Sequence, residues 1–114
     1  MPYIDFNNKK KVDIWPGING SLFHSDQLTF GHFTIEKGAN LPEHNHHHEQ
    51  WTHLIQGQLE FDIDGEKKVL HAGMTAFIPS ELPHSARAIT KCKVIDCFLP
   101  VREDFIKLEN EANE

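Results

Sequence analysis

The sequence has no apolar run approaching the ~18 residues that a membrane-spanning helix needs, so no membrane partner is expected. No apolar segment accompanies the charges of the opening MPYIDFNNKKK, so no secretion signal is read there and a cytoplasmic location is expected. Basic residues are scarce: 11 Lys and Arg face 17 Asp and Glu, for a net charge of −6. Binding along a phosphate backbone needs a basic surface, so no nucleic-acid partner is expected. Lys9, Lys10 and Lys11 form the one basic run and read as a solvated segment. Cysteine is nearly absent too. Cys92 and Cys97 lie five apart in what reads as one strand, which places them on opposite faces and argues against a disulfide between them. Two cysteines make no disulfide framework, in keeping with a reducing compartment. A phosphate-cradling glycine loop, a nucleophile elbow and a CxxC pair are all missing. Nor is there an internal repeat or a linker-like stretch, so the 114 residues are read as one domain, 1–114.

What is present is alternation. Leu59-Glu60-Phe61-Asp62-Ile63 alternates apolar residues with carboxylates and ends in Asp64-Gly65, a strong hairpin signal. Similar strand-like pieces fall near 11–15, 20–24, 28–36, 42–47, 50–56, 66–71, 74–79, 84–89 and 92–99. Prolines 16, 42, 79, 83 and 100 stand at their borders, where strands tolerate them. Only 102–110 reads as a helix. Many short strands at regular spacing indicate an all-β sandwich or barrel.

Residues 42–51, PEHNHHHEQW, concentrate four histidines. On a strand, His44 and His46 share one face while Asn45 and His47 take the other. Two imidazoles on one face are half of a metal site, and imidazole suits zinc, iron, nickel and copper alike. The competing reading is a solvated polar turn that binds nothing.

Gly38, His44, His46, Gln50 and Gly57 form G-x5-H-x-H-x3-Q-x6-G, and Gly73, Pro79 and His84 form G-x5-P-x4-H. This pair, at 38–57 and 73–88, resembles the two signature motifs of the cupin superfamily. The resemblance runs from about Gly38 to Phe98 and implies a double-stranded β-helix, a jelly-roll-like barrel. It further implies metal ligands at His44, His46, Gln50 and His84, with His47 and His48 exposed in the turn between ligand-bearing strands. The cofactor implied is one divalent transition metal: nickel, zinc, iron or manganese. The chain departs from the motif by carrying Gln50 in place of the usual Glu, Glu81 in place of Gly, and Ala88 where Asn is common. Glu49 is a rival ligand. Gln50 is preferred because it keeps the interval to Gly57 and shares a face with Thr52 and Leu54. Three histidines and an amide leave the metal its full charge, which favours Lewis-acid work and capture of an anion. Oxygen-activating iron sites commonly include a carboxylate.

Residues 94–105, VIDCFLPVREDF, place Val94, Asp96 and Phe98 on one strand face, followed by Arg102. If that face looks inward, Asp96 is a carboxylate among apolar neighbours, costly unless paired or used. The competing reading is a surface Asp on an edge strand and an Arg capping the barrel mouth. The D-x-F-x3-R arrangement after the His, Gln and His set resembles the uronate-linearising cupins of pectin and alginate degradation. These take 4,5-unsaturated monouronates to the linear keto form. The resemblance implies that Asp96, Phe98 and Arg102 line the pocket, with Asp96 shuttling a proton, Arg102 holding a carboxylate and Phe98 positioning the ring. The partner implied is a small anionic sugar, and the cupin resemblance adds a homodimer. The alternatives are a cupin dioxygenase, favoured if Glu49 replaced Gln50, another sugar isomerase, and a non-catalytic metal- or sugar-binding module. His24, His32, His53 and His71 are scattered and read as satisfied or exposed, and Trp15, Trp51 and His53 read as packing or interface residues.

Overall fold

The period-two pattern resolves into ten strands, with one α-helix and a short 3-10 helix at Phe6–Asn8, in the computed structural model, which describes residues 2–112. The strands are β1 (Val12–Trp15), β2 (Ile18–His24), β3 (Thr29–Ile35), β4 (Asn40–His44), β5 (Glu49–Gln56), β6 (Gln58–Ile63), β7 (Glu66–His71), β8 (Thr75–Ile78), β9 (His84–Ala88) and β10 (Cys92–Leu99). The helix α1 spans Glu103–Ala112, and its first turn carries Glu103 and Asp104, which suit the positive end of its dipole. The strands pair into two antiparallel sheets, ordered β1-β2-β3-β10-β5-β8 and β4-β9-β6-β7. This is the two-sheet jelly-roll barrel that the motifs imply.

Alternation sets what fills it. Leu22, Phe33, Leu54, Val94 and Phe98 point inward from the larger sheet and meet Leu59, Phe61, Leu70 and Ala88 from the smaller. The hairpin at Asp64-Gly65 forms as expected, with both residues at positive φ and the Gly65 N–H donating to Asp62 Oδ1 at 2.9 Å. Cys92 is buried and inward, Cys97 sits on the outer side, and both are free thiols.

Two backbone positions hold the motif segments in place. Gly57 has φ +102° and a Cβ there would lie 2.4 Å from the Lys91 carbonyl oxygen, so only glycine fits between β5 and β6. Glu81 has φ +68°, the left-handed conformation that a glycine takes without cost, and its N–H donates to the His46 carbonyl at 2.8 Å. That bond ties the loop before β9 to the histidine turn.

Two local expectations need correction. The strand expected over 42–47 ends at His44, and 45–48 is a turn. His48, expected to be exposed in that turn, is buried while His47 is exposed. The turn folds inward at His48, so face alternation does not apply there.

Candidate metal centre

His44 ends β4, His84 opens β9, and the two are direct partners in the small sheet. His46, from the turn, brings its ring to 4.9 Å from that of His84 and 5.6 Å from that of His44. The ligating atoms of these three imidazoles lie within 4.8 Å of one another. Each ring is oriented by a backbone carbonyl: Nδ1 of His44 meets Pro42 O at 2.8 Å, Nδ1 of His46 meets His48 O at 2.9 Å, and Nδ1 of His84 meets Leu82 O at 2.8 Å. A carbonyl only accepts, so each Nδ1 carries the proton and each Nε2 is left with a free lone pair. Carbonyl-oriented imidazoles of this kind are the usual outer support of a metal site.

The donor set fits a cation on two further observations. Nε2 of His84 is buried and has no hydrogen-bond partner. Oε1 of Gln50 lies 3.1 Å from Nε2 of His46, while the Gln50 amide N–H donates to Thr52 Oγ1 at 2.9 Å. Two acceptors facing each other at that distance are reconciled by a positive charge between them. Burial also favours the neutral form of two of the rings, His84 and His46. Burial pulls His84 down to about 4, and the neighbouring His44, His46 and Arg102 add to it against the bond to Leu82. Burial lowers His46 as well. The three histidines are placed to hold a metal ion, and His46 and His84 would do so with little competition from protons at neutral pH.

Glu49 lies on the other face of β5, where its carboxylate accepts the Trp51 indole N–H at 3.0 Å. His24, His32, His53 and His71 do not join the cluster. His24 bonds Thr29 Oγ1, His32 stacks on Phe6 and His53 bonds Thr75 Oγ1.

A cavity of about 450 Å³ opens beside the imidazoles, lined by His44, Gln50, Thr52, Asp96, Phe98 and Arg102 and walled by apolar residues such as Ile35, Leu59, Phe61 and Val94. Its size is that of a small-molecule site. Asp96 faces inward from β10 opposite Thr52, and its Oδ1 is buried with no hydrogen-bond partner. Burial pushes the carboxyl up to about 7, against the opposing pull of the Thr52 hydroxyl and of Arg102. Phe98 is buried, with its ring 6.2 Å from that of His46.

Arg102 stands just before α1. Its backbone N–H donates to Thr29 Oγ1 at 2.8 Å, which fixes the start of the helix on β3. Its guanidinium lies 4.7 Å from the Phe98 ring centre and 3.9 Å from that of Phe105. Asp104 accepts from its Nε at 3.0 Å and its Nη2 at 2.8 Å. That pairing holds the Asp104 carboxyl below the usual range.

Sequence reasoning missed three residues here. Asp104 enters through the first turn of α1, Thr52 through the hydrogen bond to Gln50, and Trp15 as part of the cavity lining. The face shared by Gln50, Thr52 and Leu54 was the available signal for Thr52. The other two depend on a helix start and on a strand irregularity that alternation does not encode.

The comparisons with known proteins agree with this architecture. The cupin-domain family matches residues 31–98, more than half of the chain. Pectin degradation protein KdgF of Dickeya dadantii (strain 3937) is 30% identical over 100 residues, covering 86% of this chain and 83% of that protein. KdgF from a Halomonas species superposes with a TM-score of 0.86 at 29% identity, covering 92% of this chain and 98% of that one. An RmlC-like cupin from Shewanella frigidimarina NCIMB 400 superposes with a TM-score of 0.86 at 30% identity, covering 92% and 96%. Among the described residues no helix is long and apolar enough to cross a membrane. With the two-sheet barrel, the histidine cluster and these matches together, the chain belongs to the cupin superfamily.

Proposed function

We propose that this cupin is a cytoplasmic, metal-dependent enzyme that opens 4,5-unsaturated monouronates to their linear keto form. The observation that carries the reading is the placement of Asp96. A carboxylate with an unpartnered, buried oxygen lines the same cavity as Arg102 and His44, one of the three clustered imidazoles. His44, His46, His84 and the Gln50 amide oxygen would hold one divalent transition metal, with Glu49 engaged elsewhere by Trp51. Bound there, the metal would supply Lewis-acid stabilisation of a substrate oxygen.

The chain's own groups account for the rest. Arg102 pairs with the substrate carboxylate through a bidentate contact. Phe98 forms the floor against which the ring rests. Asp96 removes the proton from the anomeric hydroxyl; the C1–O carbonyl forms as the bond from C1 to the ring oxygen breaks, and the released electron pair makes an enolate at C5. Asp96 then returns the proton to C4, which leaves a C5 ketone and no net gain or loss of atoms. A carboxyl pushed up to about 7 by burial suits both halves of that transfer near neutral pH.

A homodimer fits the outer face of the larger sheet. Trp51, Ile55, Phe77 and Leu99 are exposed apolar side chains there, with the Trp51 and Phe77 rings 4.5 Å apart. Sedimentation at working concentration reads this part directly, and a purely monomeric species removes it. The chemistry is tested by adding lyase-generated unsaturated uronate to metal-loaded protein and following the ultraviolet absorbance of the conjugated double bond. Metal-dependent loss above the spontaneous rate supports the enzyme. Tight uronate binding without turnover supports a binding module, which would use Arg102 but has no use for Asp96.

A further inference from the structure

Ile14 and Trp15 are neighbours in sequence, yet both line the cavity. Regular alternation sends successive side chains of a strand to opposite faces. β1 departs from that rule because its pairing with β2 slips. Asp13 sits opposite Asn19 and Trp15 opposite Ile18, which leaves Ile14 as an extra residue. A bulge of this kind bends the strand and re-aims a side chain, and here it turns the indole onto the cavity.

The indole is anchored across the barrel. Its N–H donates to the Asn40 carbonyl at 3.0 Å. Asn40 opens β4 in the smaller sheet, the strand that ends at His44, whereas Trp15 belongs to the larger sheet. Trp15 therefore bridges the two sheets beside the cavity, and its one polar atom is already used. What it offers a ligand is the flat ring, and the residue is 42% exposed. A large apolar ring with its polar handle satisfied is a rigid contact surface.

We propose that Trp15 is the stacking wall of this site, taking the C–H face of a cyclic uronate while Arg102 holds its carboxylate. This rests on the uronate reading above and adds a consequence to it. A closed, flat ring covers the indole and an open chain does not, so Trp15 sets a preference for the cyclic substrate over the linear product. It is a specificity-determining residue outside the proton-transfer step.

The test uses metal-loaded, full-length protein and two non-reacting probes, D-galacturonate as the ring form and D-gluconate as the open chain. Trp15 and Trp51 are the only tryptophans, and Trp51 lies on the outer face, so Trp51→Phe leaves Trp15 as the sole indole emitter. Its emission should change saturably with D-galacturonate and much less with D-gluconate. By calorimetry, Trp15→Leu should weaken D-galacturonate binding by about five- to tenfold and leave D-gluconate within about twofold, while Trp15→Phe recovers most of the loss. If D-galacturonate binds but Trp15 emission stays flat and both Trp15 variants bind as the parent does, the stacking role is overturned and the uronate site stands. If D-galacturonate binds to no form of the loaded protein, the uronate reading and the stacking role fall together.

Discussion

The Arg102 guanidinium is gripped from its side by the carboxylate of Asp104, with Nε to Oδ1 at 3.0 Å and Nη2 to Oδ2 at 2.8 Å. Phe98 and Phe105 lie against the same group. Side-on capture leaves the end-on pair of nitrogens for a second carboxylate. Asp104 thus orients the cation without consuming its capacity to bind an anion.

Asp104→Asn should therefore raise KM for an anionic sugar by about three- to tenfold with a smaller change in kcat. The Arg102 partner is neutralised and its end-on edge is free to turn. Steady-state kinetics on the unsaturated uronate separates the two parameters. An unchanged KM would mean that the aromatic rings alone hold the guanidinium.

His84→Ala should abolish stoichiometric metal binding, because it removes one of three converging imidazoles and the one whose Nε2 is buried without a partner. Metal content after dialysis checks this. In the parent, chelation should lower the unfolding temperature, since a ligand that binds only the folded state stabilises it. In His84→Ala chelation should leave that temperature unchanged.

The buried titratable groups oppose each other in acid. Burial pulls His48 and His84 down to about 4, so the metal-free fold loses stability as pH falls from 6.5 toward that value. His24 and His46 are lowered too and act in the same sense. Asp96 is pushed up to about 7, so its contribution is full below the ordinary carboxylate range and is lost as pH rises through 7. Asp96→Asn removes that offset. Between about pH 7.5 and 5 the chelated variant should lose roughly 2–4 kcal/mol, while the parent loses less. Denaturant unfolding at the two pH values measures both slopes, and parallel slopes would contradict the burial of Asp96.

Glu81 adopts φ +68° without glycine's freedom. Glu81→Gly should stabilise the fold by about 0.5–1 kcal/mol, read as a shift in the denaturant midpoint with an unchanged slope. A destabilised variant would mean that the Glu81 side chain contributes more than its backbone strain costs.

These residues also show what was legible in the sequence. The period-two pattern and the turn signals located the strands to within a few residues, because a two-faced sheet forces alternation and Asp-Gly forces a hairpin. The two motifs located His44, His46 and His84, which the barrel brings together. The reasoning for His46 was only half right: its strand stops at His44, and a turn tied down by the Glu81 N–H delivers the ring instead. Burial of His48 was hidden for the same reason. Trp15 was hidden by a bulge, which depends on pairing with β2 and leaves no mark in the alternation of β1 itself. Asp104 was hidden because its role depends on where α1 begins, and that is set by the bond from Arg102 to Thr29 in a distant strand.

The most direct measurement is the rate at which metal-loaded Asp96→Asn removes the ultraviolet absorbance of a 4,5-unsaturated monouronate, beside the parent at equal metal content. Loss of the proton shuttle should lower the rate by about 10²- to 10⁴-fold with the metal retained. A variant that is folded, metal-loaded and as fast as the parent would contradict the assignment of Asp96 and the reaction built on it.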